Sequence, residues 1–233
     1  MGFQKNKANS LHPQVVTLII DDSGSMQGSK AKQVTEAVQD NLVITLQSQN
    51  LQTHGFRFLL NIAKFGDDVT PLALASKPDE VNLNDLVFEG ESGQTNMAEA
   101  LRWAKEAVET ALQKCRALPD YAENESPNPL CIFFSDGENT GSDVTQAANA
   151  LKAVRFDGGQ VDVVACGIGL QQKDFPTMEA IASDVSLATN ISPDRLGDFI
   201  AEVTVTVFKG EQAQQLMERT EGMEQVRGQS GTR

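Results

Sequence analysis

The chain has 233 residues, a formal net charge of −13, and 40% hydrophobic against 22% charged residues. Its lysines and arginines are scattered singly, so the basic stripe that phosphate contacts require is missing and no nucleic acid partner is expected. The length suits one larger α/β domain with a sizeable core, and no run approaches the roughly 18 apolar residues of a membrane span.

Residues 1–13 read as a polar, flexible leader. Met1-Gly2-Phe3-Gln4-Lys5-Asn6-Lys7 lacks the apolar stretch of a secretory signal, and Asn6 breaks the myristoylation pattern that Gly2 begins. The near-continuous apolar run from about 14 to 21 predicts a strand buried on both faces, as in a central parallel sheet. Ala31, Val34, Val38, Leu42 and Leu46 then recur at helical spacing, so a helix is expected from Ser29 to about Ser48. Phe56–Phe65 and Val69–Ala75, separated by Gly66-Asp67-Asp68, read as a hairpin that places one antiparallel edge strand on the sheet.

After Thr95 a helix is marked by Met97, Leu101, Ala104, Val108, Ala111 and Leu112 on one stripe, with Glu99, Arg102, Glu106 and Glu109 facing out. Met97 and Trp103 on this helix read as packing groups. Asp120–Pro129, acidic and containing proline, reads as an exposed loop. The alternation then repeats: a strand at 130–134, a helix near 143–154, a strand at Val161–Ile168, a short helix near Pro176–Ser183, a short strand around Ser186–Asn190, and a helix from about Asp194 to Phe208. The expected fold is α/β, a doubly wound, mostly parallel sheet with one antiparallel edge strand and helices on both faces. The domain is placed at 14–212, and the Gln-, Glu- and Gly-rich residues 213–233 read as a disordered tail. Cys115, Cys131 and Cys166 fall in expected helix or strand interiors and are read as buried, unpaired thiols, which favours a reducing cytoplasm.

Chemistry concentrates at three element ends. The first strand runs into Asp21-Asp22-Ser23-Gly24-Ser25-Met26, which puts a carboxylate and two hydroxyls at every second position of a tight turn. Gly93-Gln94-Thr95-Asn96 opens the long helix, and Leu130-Cys131-Ile132-Phe133-Phe134-Ser135-Asp136-Gly137 is a second apolar strand ending in an acidic turn. Ligands of an open α/β sheet bind beyond the carboxyl ends of its strands, so Asp21 and Asp136 are expected to meet at one rim. Two crowded carboxylates repel unless a cation sits between them, and hard oxygens suit Mg²⁺ or Mn²⁺ better than zinc. His12 and His54 read as surface or turn residues, and no Lys or Cys is expected beside Asp21 or Asp136, so no catalytic base is evident. Asp22 is expected to support the site from behind or to face solvent. No phosphate-binding G-x-x-x-x-G-K-[ST] motif is present.

Together these three segments resemble the metal-ion-dependent adhesion site (MIDAS) of von Willebrand factor type A (VWA) domains, with Ser135 standing where many relatives carry Thr. The resemblance implies a Rossmann-like fold and a metal held by Asp21, Ser23, Ser25, Thr95 and Asp136. It also implies a binding module rather than an enzyme, in which bound Mg²⁺ (or Mn²⁺) accepts an Asp or Glu carboxylate from a protein partner. The short D-D-S-G-S-M opening looks most like intracellular bacterial VWA proteins of tellurite-resistance and stress-response systems, which implies a scaffold beside a kinase, phosphatase or ATPase. Accessory subunits of MoxR-type or chelatase-type ATPases are the alternative, and a metal-dependent hydrolase is a third.

Overall fold

All eight residues of β1, Gln14–Asp21, are buried, because the strand has neighbours on both edges and helices over both faces. The computed structural model describes residues 8–50, 56–137, 139–156, 159–209 and 212–221. In it β1 pairs in parallel with β2 (Phe58–Phe65) on one side and with β4 (Leu130–Ser135) on the other. β3 (Val69–Ser76) returns antiparallel along β2 and forms one edge. A two-residue hairpin, β5 (Arg155–Phe156) and β6 (Gly159–Gln160), precedes β7 (Asp162–Ile168), which pairs with β4, and β8 (Ala188–Ile191) forms the other edge. The order β3-β2-β1-β4-β7-β8 makes the chain step outward from β1 in both directions. The crevice above β1 and β4 is therefore the switch point at which such sheets bind ligands.

Both faces of the sheet are covered. One face carries α3 (Met97–Arg116), α4 (Val144–Lys152) and α5 (Phe175–Ile181). The other carries a helical rod made of α1 (Ser29–Glu36), a π-helical stretch Ala37–Ile44 and α2 (Thr45–Asn50), together with α6 (Leu196–Lys209) and α7 (Ala213–Thr220). A continuous α-helix was expected across 29–48; the wider π winding instead turns Ala37, Val38, Leu42 and Val43 inward together. On α3 every residue of the expected apolar stripe is buried, Met97 among them, and Trp103 packs against the same core.

Four expectations need correction. The leader does not reach residue 13: Ala8, His12 and Pro13 are buried, and Arg57 Nε donates to the Ala8 carbonyl at 3.1 Å. His12 is thus no surface residue, and its Nε2 lies 3.6 Å from Glu125 Oε2. The 120–129 loop is not wholly exposed either, since Ser126, Pro127 and Pro129 are buried and Ser126 Oγ donates to the Ala122 carbonyl. The ordered chain continues past Gln212 as α7, whose Ala213, Leu216, Met217 and Thr220 are buried at helical spacing. Residues 1–7, His54, Glu138 and 222–233 lie outside the described residues. Among the described residues no helix is long and apolar enough to cross a membrane.

Candidate metal centre

β1 and β4 run in register, Ile20 opposite Phe134, so the residues that follow them emerge at the same rim. Asp21 is fully buried there. Its Oδ1 accepts the Ser23 backbone N–H at 2.9 Å, and its Oδ2 accepts the Ser135 hydroxyl at 2.5 Å across the two strands. Ser23 Oγ and Ser25 Oγ are 3.1 Å apart, and Ser25 Oγ donates to Asp136 Oδ1 at 2.6 Å. The Asp136 carboxylate is closed off from solvent.

Gly137 brings in the third segment. A Cβ atom at this glycine would lie 3.4 Å from Thr95 Oγ1, 3.7 Å from Ser25 Oγ and 3.8 Å from Asp21 Oδ2. One point on the turn after β4 therefore faces oxygens from the end of β1, the loop that follows it and the segment before α3. Such a cradle fits a small hard cation: with Ser23 and Asp136 it offers three hydroxyls and two carboxylates, and no nitrogen or sulfur. The five expected ligands Asp21, Ser23, Ser25, Thr95 and Asp136 are thus brought to one rim.

Burial pushes the Asp21 carboxyl up from its ordinary 3.8 to about 6, and the Asp136 charge adds to the rise. Hydrogen bonds from Ser135 and Ser23 oppose the shift without cancelling it. A buried carboxylate in this state gains from a nearby cation, since the cation stabilises the ionised form that burial penalises.

Asp22 turns the other way. It is buried rather than solvent-facing: Oδ1 accepts the backbone N–H groups of Glu89 and Gly90 at 2.8 and 2.7 Å, and Oδ2 pairs with Lys64 Nζ at 3.1 Å. The seam continues through Ser92, whose N–H donates to the Asp22 carbonyl at 3.1 Å and whose carbonyl accepts Gly24 N–H at 2.8 Å. Gly66 is required beneath this seam, because a Cβ there would stand 2.0 Å from Ser92 Cβ. Thr95 is fixed from its far side by Thr140, which exchanges bonds with the Thr95 backbone at 2.9 and 3.1 Å. Asn96 caps α3 by accepting Glu99 N–H at 3.3 Å, and Asn139 Oδ1 accepts Met97 N–H at 3.3 Å. Asn96 and Asn139 therefore act on backbone.

Sequence reasoning missed Lys30. This residue of the first turn of α1 donates through Nζ to Asp136 Oδ2 and to the Ser25 carbonyl, the latter at 3.2 Å. The expectation that no lysine neighbours Asp136 is thereby overturned. The available signal was its position: Gly28, at φ +75°, turns the chain into α1, and a long cationic side chain two residues later, in the helix's first turn, can fold back over the loop.

Comparison with known proteins agrees with this geometry. The von Willebrand factor type A domain profile matches residues 16–201. Over 200 residues the chain is 30% identical to inter-alpha-trypsin inhibitor heavy chain H4 of Bos taurus, covering 82% of this chain and 20% of that protein. The chain thus spans a fifth of that relative's length. The fold is similar to that of proximal thread matrix protein 1 from the mussel byssus with a zinc-occupied MIDAS motif, at TM-score 0.60 and 18% identity over 87% of this chain and 49% of that one. It is also similar to the von Willebrand factor domain of a type V pilus tip protein from Porphyromonas gingivalis, at TM-score 0.61 and 13% identity over 88% and 98% of the two chains. A pilus adhesin of Lactobacillus rhamnosus GG in its open conformation gives TM-score 0.66 and 15% identity over 87% and 31%.

Proposed function

The chain belongs to the von Willebrand factor type A domain family, whose domains generally bind protein partners through a metal, and we propose that this one captures a partner's acidic side chain at the rim built by Asp21, Ser23, Ser25, Thr95 and Asp136. The observation that carries the reading is the convergence at Gly137, in the turn after β4, which faces oxygens of Asp21, Ser25 and Thr95, while Ser25 in turn bonds Asp136. Bound there, Mg²⁺ or Mn²⁺ would supply an electrophilic position open to a carboxylate oxygen. The chain's own part is to hold the donors: Ser135 and the Ser23 N–H fix both oxygens of Asp21, and the Asp22 seam fixes the segment bearing Thr95.

Binding rather than catalysis is supported by what surrounds the rim. His12 precedes β1 at the opposite end of the sheet, on the order of 25 Å from Asp21 for a strand of this length. Lys30 is engaged by Asp136 and Ser25 instead of facing a substrate position. The three free cysteines described, all buried, support a reducing compartment. An intracellular scaffold of a bacterial tellurite-resistance or stress-response type extends the same proposal.

The test is affinity capture on the immobilised protein in Mg²⁺ and in EDTA, with mass-spectrometric identification of what elutes. Asp136→Ala and Thr95→Ala should lose the captured protein while keeping the parent circular dichroism, and changing one Asp or Glu of that protein to its amide should have the same effect. Equal capture in EDTA contradicts the reading. Capture of an ATPase would direct it toward an accessory subunit.

A further inference from the structure

Resting on the metal reading above, we propose that Lys30 is a tethered counter-cation of the centre, which an incoming divalent ion must displace, so that this lysine sets the affinity and therefore the occupancy of the site. Asp136 is the residue that holds Lys30 at the rim. Its carboxylate has no solvent exposure, and a buried carboxylate needs a compensating charge. Ser25 Oγ supplies a hydrogen bond to Oδ1, but the only positive charge the described residues place on Asp136 is the Lys30 ammonium on Oδ2. The contact is built rather than incidental: the same Nζ donates to the Ser25 carbonyl at 3.2 Å, so the ammonium spans the loop after β1 and the turn after β4. It thereby joins the two segments that a metal would join.

An ammonium and a divalent cation held by the same carboxylate repel each other strongly at a buried rim. The ion must therefore either coexist with Lys30 at a cost or expel it. Expulsion is accessible, since the Lys30 side chain is already 27% exposed and sits on a flexible stem at the first turn of α1. Lys64 makes a contrasting pair with Asp22. It too is a partly exposed lysine on a buried aspartate, but that aspartate faces the 89–92 segment and not the ligand oxygens, so metal has no reason to disturb it.

The experiment is calorimetric titration of Mn²⁺ and Mg²⁺ into the parent, Lys30→Gln, Lys30→Met, Lys30→Arg and Asp21→Asn at fixed ionic strength, with melts in EDTA alongside. Removing the charge should tighten metal binding by about tenfold or more, the scale expected for losing one like charge at close range. Lys30→Arg should stay near the parent. In EDTA, Lys30→Gln and Lys30→Met should melt below the parent, and saturating Mn²⁺ should erase the gap. Equal or weaker metal binding in Lys30→Gln overturns the inference and makes Lys30 a positioning partner of Asp136. Loss of metal binding by the parent and all variants alike is a different pattern, and it removes the metal reading itself. If the neutral variants do not fold, the parent answers alone: the Lys30 side-chain NMR resonances should move toward those of a free lysine as diamagnetic Mg²⁺ is added, and resonances that stay fixed through saturation overturn the inference.

Discussion

Asp21 and Asp22 are neighbours at the end of one strand, both buried, and they do opposite things. Because successive side chains of a strand point to opposite sides, one turns toward β4 and the other toward the segment before α3. Asp22 has a complete set of partners: a lysine and two backbone N–H groups. Asp21 has a hydroxyl and an N–H but no protein cation on either oxygen among the described contacts, and burial holds its carboxyl up at about 6. A finished carboxylate stabilises the fold, whereas an unfinished one is poised for a ligand. The difference separates the structural half of this loop from its functional half, which residue type alone does not.

Removing the finished carboxylate should have the largest effect. Asp22→Ala leaves two N–H groups and Lys64 without their partner, and breaking a buried pair costs about 3 kcal/mol or more. Urea unfolding should show this loss equally in Mg²⁺ and in EDTA, and a loss confined to Mg²⁺ would place Asp22 among the ligands. Gly66→Ala attacks the same seam from below, because its Cβ would overlap Ser92; a loss of about 1–3 kcal/mol is expected from such overpacking.

The unfinished carboxylate should show itself through pH. The folded, metal-free protein holds the Asp21 proton up to about pH 6, above the unfolded value of 3.8, so it binds more protons than the unfolded chain between these limits. Stability from this group is therefore present below about pH 4 and is withdrawn as pH rises through 6, by up to about 3 kcal/mol for a shift of this size. Denaturant titrations in EDTA across this window, parent against Asp21→Asn, should differ in slope, and identical profiles would show that Asp21 ionises normally. At neutral pH without metal, Asp21→Asn should be more stable than the parent, by up to about the same 3 kcal/mol, since the uncharged amide can keep a bond to Ser135 and to the Ser23 N–H without burying a charge.

Most of the sheet and the meeting of Asp21, Ser23, Ser25, Thr95 and Asp136 at one rim were legible in the sequence for a shared reason. Buried parallel strands are continuous apolar runs, and the polar residues that end them stand out against Val15–Ile20 and Leu130–Phe134. What stayed hidden depends on contacts remote in the chain. Ala8 is ordered by Arg57, and Ser126 to Pro129 are covered by elements that local composition does not name. The π winding of 37–44 was masked because Val38, Leu42 and Leu46 also fit an ordinary helix. α7 carried a readable period in Ala213, Leu216, Met217 and Thr220, but its Gln and Glu content outweighed it. Asp22 and Lys30 could be assigned only when their lysine and aspartate partners, far off in sequence, were seen in place.

The central claim is that a divalent cation completes Asp21 at the rim shared with Ser23, Ser25, Thr95 and Asp136. Calorimetric titration of Mg²⁺ into the parent and into Asp21→Asn at pH 7.5 tests it most directly. The account predicts one saturable site per chain in the parent, weakening as pH is lowered through 6, and none in the variant. Equal binding by both proteins, or no binding by the parent at millimolar Mg²⁺ and Mn²⁺, would contradict it.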